Sequence, residues 1–70
     1  MKVPTVTVVL PDGKTEEYIS AACRIIGANI LVVDRIVMDA GEPTAAGVLC
    51  IYNSTGWRSH QPGEKDMADA

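Results

Sequence analysis

Two runs of β-branched and aliphatic residues leave this chain few choices but strands. Thr5-Val6-Thr7-Val8-Val9-Leu10 and Ile30-Leu31-Val32-Val33-Asp34-Arg35-Ile36-Val37 are dominated by side chains that lose rotamer freedom in a helix and fit a pleated surface. The first run ends in Leu10-Pro11-Asp12-Gly13. Proline presets φ, aspartate bonds its own backbone, and glycine accepts positive φ, so a hairpin is the natural reading.

The stretch from Lys14 to Ile26 reads as one second strand. Glu17, Ile19, Ala21, Cys23 and Ile25 lie on one face, and Glu16, Tyr18, Ser20, Ala22, Arg24 and Ile26 on the other. Gly27-Ala28-Asn29 then turns the chain into the second β-branched run. A helix competes here, because Ile19, Cys23, Ile26, Ile30, Val33 and Val37 also fit helical spacing, and period alone does not arbitrate. Gly27 and Asn29 would weaken that helix at its middle, and it lacks a strong N-cap. Strands are favoured, with room for one short helix within residues 16–38. Met38 to Gly47 reads as a loop, Val48 to Tyr52 as a short apolar strand, Asn53-Ser54-Thr55-Gly56 as a turn, and Trp57 to His60 as a final edge strand. The expected fold is mostly β: a single small antiparallel sheet of four to five strands, curled into a barrel or half-sandwich. Residues 1–60 form one β-rich domain, and residues 61–70 a flexible acidic C-terminal tail.

The size of the chain, 70 residues, makes such a domain marginal, since a small domain buries a modest share of its surface. With no Phe and one Trp, the core must come from Val, Ile, Leu and Ala. The third strand offers apolar residues on both faces: Ile30, Val32 and Ile36 on one, Leu31, Val33 and Val37 on the other. In the fourth, Val48, Cys50 and Tyr52 oppose Leu49 and Ile51. A sheet with a solvated back would alternate more cleanly. Each medium apolar side chain left in water forfeits about 1.5–3 kcal/mol, against a total stability of roughly 5 kcal/mol. A homo-oligomer, dimer or higher, is therefore expected. Its interface candidates are Trp57, Tyr52, Ile51, Leu49, Val33 and Leu31. Trp57 has two readings, a cap on the core or an interface anchor.

The net charge of −3 argues against direct nucleic-acid binding, which needs clustered Lys and Arg. Glu64, Asp66 and Asp69 against Lys65 concentrate charge in residues 61–70 and leave residues 1–60 near neutral, a state prone to association. No apolar stretch is long enough to span a membrane. Without a secretory signal, Cys23 and Cys50 read as buried thiols in a cytoplasmic protein, with a bridge between neighbouring strands as the alternative.

The catalytic constellations are thin. His60, the one histidine, has Ser59 beside it in sequence but on the opposite strand face, and a triad also needs an orienting acid. Cys23, Cys50 and His60 fall short of a zinc set, with no Cys-x-x-Cys pair. Glu16 and Glu17 are adjacent, so they also face apart and do not pair as in a glycosidase. Gly41 and Gly47 bracket a stretch without the Gly-Lys-Ser/Thr of a phosphate loop. Asn53-Ser54-Thr55 reads as a turn rather than a glycosylation acceptor. Arg24, Arg35 and Arg58 are the candidate ligand-binding residues, for an anionic molecule, against the plainer reading of surface ion pairs. No catalytic residue, metal or cofactor is expected.

The pattern of a hairpin closed by Pro11-Asp12-Gly13, a central Gly27-Ala28-Asn29-Ile30-Leu31-Val32-Val33, and Ala46-Gly47-Val48-Leu49-Cys50-Ile51-Tyr52-Asn53-Ser54-Thr55-Gly56-Trp57-Arg58-Ser59 resembles small uncharacterised β-meander proteins of phages and their bacterial hosts. The likeness covers most of residues 5–60. It departs in the Ala/Gly/Pro stretch before Val48 and in the acidic end. It implies a compact accessory protein acting by contact, without a reaction. The expected function is a non-enzymatic protein-interaction module: a phage-linked accessory or inhibitor that binds a macromolecular partner, such as a host protein, or itself. The alternatives are an oligomer that sequesters an anionic metabolite or nucleotide, and a virion structural subunit.

Overall fold

The structure, a computed structural model, describes residues 2–66. It is built from strands: β1 (Lys2–Val9), β2 (Thr15–Ile19), β3 (Ala21–Ile26), β4 (Ile30–Asp39), β5 (Glu42–Tyr52) and β6 (Ser59–Asp66). The described residues contain no helix, so none is long and apolar enough to cross a membrane. The strands form two three-stranded antiparallel sheets, ordered β2-β1-β6 and β3-β4-β5. This corrects the expectation of one sheet of four to five strands: the mostly β class holds, but there are six strands in two layers and no closed barrel.

The division occurs at Ser20. The stretch that reads as one strand bends there, with φ at 55°, and passes from the first sheet to the second. Strands that switch sheets do so through such local bends. The position has a physical logic. Thr5 pairs with Ile19, so the next residue of β2 would lie opposite Pro4. Proline has no N–H for a ladder, and β2 leaves the sheet before reaching it. The bend also changes parity. Tyr18 faces inward from β2, across from Val6, whereas Ala21 and Cys23 face inward from β3. Strict alternation over Lys14 to Ile26 placed these on opposite faces.

The hairpin at Pro11-Asp12-Gly13 forms as its residues suggest. Leu10 N–H donates to the Lys14 carbonyl at 2.7 Å, and the Asp12 carboxylate accepts from Lys14 N–H at 3.0 Å. Gly27-Ala28-Asn29 joins β3 to β4, pairing Ile26 with Ile30. Asn53-Ser54-Thr55-Gly56 is a turn in which the Asn53 side chain accepts from Thr55 N–H at 3.2 Å. The Met38–Gly47 loop is corrected. Asp39 pairs with Glu42 across Ala40-Gly41, both at positive φ (51° and 82°). That is the geometry of a two-residue type I′ hairpin, whose twist suits the flanking strands. The tail is corrected too. Gln61 to Asp66 belong to β6, which pairs with β1 from Ser59↔Val9 to Asp66↔Lys2; residues 67–70 lie outside the described ones.

The core sits between the layers. Val6 and Val8 come from β1, Ala21 from β3, and Leu31 and Val33 from β4. Leu10, Tyr18, Cys23, Cys50, Tyr52 and Trp57 pack around them. Leu31 and Val33 are fully buried in this intramolecular core. That corrects their place among the interface candidates: the first sheet already covers their face.

Candidate interaction surface

The two sheets differ on the faces turned away from the core. On the first sheet, register places Thr7, Glu17 and Gln61 together, with an exposed Lys65–Glu17 ion pair at 3.8 Å and Ile19 as the exposed large apolar residue on this face. On the second sheet, Arg24, Val32 and Ile51 share the outward face, and Ala22, Asp34 and Val48 lie beside them. Ile26 is 42%, Val48 52% and Ile51 60% exposed, around a buried Val32. The charge on this face is one ion pair, with the Arg24 Nε donating to Asp34 at 2.8 Å. It leaves the patch without net charge.

A β-bulge assembles this face. Val33 pairs with Cys50, but Asp34 pairs with Val48, so Leu49 is the extra residue. A bulge sets two residues against one and resets the alternation beyond it. Cys50 and Tyr52 therefore face the core, while Val48 joins Ile51 outside. Alternation in the sequence had grouped Val48 with Cys50 and Tyr52. Val48 was thus missed as a surface residue, because a bulge leaves no composition signal; Ile26 lies on the face with Arg24 that alternation gave it. Leu49 and Ile51, both proposed from sequence, are exposed.

Trp57 and Tyr52 lie at the seam between layers. Trp57 is half-buried against the core, and its Nε1–H donates to the Asn29 carbonyl at 2.9 Å. It caps the core where the β3–β4 turn meets the approach to β6. The Tyr52 hydroxyl is 2.5 Å from that of Tyr18. Burial first, and the hydrogen bond to Tyr52 second, push the Tyr18 phenol well above its ordinary value. Burial likewise raises Tyr52, offset by its bond from Tyr18.

Cys23 and His60, far apart in sequence, meet at the same seam, with Sγ 3.1 Å from Nδ1. The Trp57 ring lies against His60 at 5.8 Å between centroids. A thiol beside an imidazole is the beginning of a nucleophile–base pair. Here burial pushes the Cys23 thiol up, opposite to the thiolate character of reactive cysteines. Cys50 is two strands away from Cys23, across Val33. Among the described residues no group of three or more His, Cys, Asp or Glu stands together to hold a metal. The cavity next to this pair, lined by Pro4, Val6, Ala21, Cys23, His60 and Pro62 among others, has a volume of about 230 Å³. A second of the same volume is lined by Lys2, Val3, Pro4, Met38, Pro43 and Glu64. Both are smaller than the usual ligand pocket.

The three arginines do not converge. Arg24 pairs across from Val32 and Arg35 from Ala21, which puts them on opposite faces of the second sheet. Arg58 sits between β5 and β6, its N–H donating to the Val9 carbonyl at 2.7 Å.

Fold and surface together define a two-layer β protein whose second sheet carries the exposed Ile26, Val48 and Ile51 on its outer face. No protein-family model, curated protein or solved structure matches the chain.

Proposed function

We propose that this chain is a non-enzymatic contact protein that works through the outer face of the β3-β4-β5 sheet. The supporting observation is the exposed apolar cluster of Ile26, Val48 and Ile51 around Val32, on a face that no other strand covers among the described residues. Apolar patches of this kind mark interaction sites on small proteins. The partner is a macromolecule, either a second copy or another protein that offers an apolar surface. The resemblance to phage and bacterial β-meander proteins favours an accessory or inhibitor role. Separation of the arginines removes the main support for an anionic-ligand reading.

The test is the mass of the tagged chain, alone and after passage through bacterial extract, for the wild type and for Ile51→Lys. The expected result is that the wild type carries mass beyond one chain in at least one condition. Ile51→Lys should release that mass at an unchanged thermal midpoint. A wild type of one chain's mass in both conditions overturns the reading.

A further inference from the structure

We infer that the occupant of this surface is a second copy of the chain, joined β5 to β5 in antiparallel register about a two-fold axis normal to the sheet. The inference rests on the contact reading and specifies its partner.

Among the described residues the two sheets have four edges: β2, β6, β3 and β5. An edge strand presents unpaired backbone groups, and proteins blunt such edges with charge, proline or brevity. β2 is five residues long and carries Glu16 and Glu17; β3 carries Arg24; β6 carries Pro62, Glu64, Lys65 and Asp66. β5 is eleven residues long and has no charge between Pro43 and Tyr52. All of its residues through Leu49 are exposed.

Charge decides between a foreign strand and a second copy. In an isologous pair each residue near the axis meets its own strand again, so a charge there meets a like charge. Pairing of β2 with itself would oppose glutamates. β5 has one charge, Glu42 at its far end, which an axis at Gly47 sets opposite the second copy's Tyr52 and not opposite a like charge, so β5 is compatible with its own image.

Geometry adds a second reason. A two-fold normal to the sheet keeps both outer faces on the same side, so one operation pairs the free backbone and joins the two apolar patches. The midpoint of β5 is Gly47. An axis there sets Ala46 opposite the second copy's Val48 and places the two Val48 side chains on one face, either side of the axis. The register shifts at Val33/Asp34 and Asp34/Ile36 fall in this region. Bulges interrupt pairing, so the association is weak and concentration-dependent.

The experiment is a charge swap at the exposed Val48, read by sedimentation equilibrium from low micromolar to millimolar concentration. The wild type should rise from one chain's mass toward two. Val48→Lys and Val48→Glu should each weaken association by about tenfold or more, because like charges face each other across the axis. Their equimolar mixture should recover it as a heterodimer. Amide exchange on β5 should slow with concentration in the wild type, which separates edge pairing from stacking of two outer faces. A wild type that stays one chain throughout overturns the inference, as does association without slower β5 exchange. If that same wild type gains mass from extract and Ile51→Lys releases it, the contact reading stands while the second copy is excluded.

Discussion

The Tyr18 hydroxyl on β2 lies 2.5 Å from the Tyr52 hydroxyl on β5, and this pair bridges the two sheets. Each phenol is half-buried and serves as hydrogen-bond partner to the other. Removing one leaves the other short of a partner, which costs about 1–3 kcal/mol for a buried group. Tyr18→Phe and Tyr52→Phe should each destabilise by about 1–2 kcal/mol. The double variant should lose less than the sum, because it strands neither hydroxyl. Urea unfolding of the four chains checks this.

The same seam sets the response to alkali. Burial raises Tyr18, Tyr52 and Cys23 above their ordinary values of 10.0, 10.0 and 9.0. Above those values the unfolded chain has released protons that the folded chain retains. Where the folded state binds more protons, stability falls as pH rises. Stability should be level with respect to these groups below pH 9, then decline through 10 and beyond. Urea midpoints from pH 8 to 11 check the sign, and Tyr18→Phe should flatten the upper part of the curve.

Ala40 occupies the first central position of the type I′ turn at φ 51°, a conformation that costs an L-residue roughly 1–2 kcal/mol. Asn-Gly is the favoured pair there. Ala40→Asn should therefore stabilise the protein by about 0.5–1 kcal/mol, seen as a higher thermal midpoint. Ala40→Val, β-branched, should lower it.

Burial separates Leu31 from Ile51, although both are aliphatic strand residues. Leu31→Ala should cost about 2–5 kcal/mol through lost burial and a cavity, enough to unfold much of a domain this small. Ile51→Lys should change stability by no more than about 0.5 kcal/mol, as surface substitutions do. Denaturation midpoints of the two variants measure the contrast.

Strand content and most turns were legible because β-branched runs and Pro-Asp-Gly or Gly-Ala-Asn punctuation act locally. The hairpin at Ala40-Gly41 was hidden because alanine stands where asparagine would signal a type I′ turn. The corner at Ser20 was hidden because a serine at positive φ carries no sequence mark, although Pro4, opposite the next position of β2, supplies a reason for it. β6 looked like a tail because Gln61, Pro62, Gly63 and Glu64 have low strand preference; pairing with β1 overrides that preference. The two-sided greasiness of Ile30 to Val37 was read correctly from the pattern. Which side the chain itself covers depends on long-range layering. The sequence therefore could not separate Leu31 and Val33, which serve the core, from Ile51, which faces out.

β1 and β6 are separated in sequence by the whole of the second sheet, yet Lys2 pairs with Asp66. The second sheet, by contrast, is one contiguous meander from Ala21 to Tyr52. Contacts close in sequence form early, while distant ones must first overcome loop-closure entropy. β1 and β2 precede the meander and β6 follows it, so the first sheet is completed only by a strand beyond the second. Until then Val8 lacks its cross-strand neighbour His60, which only β6 supplies. Refolding should therefore close the β3-β4-β5 meander before the β1–β6 ladder, whose two strands bracket it in sequence.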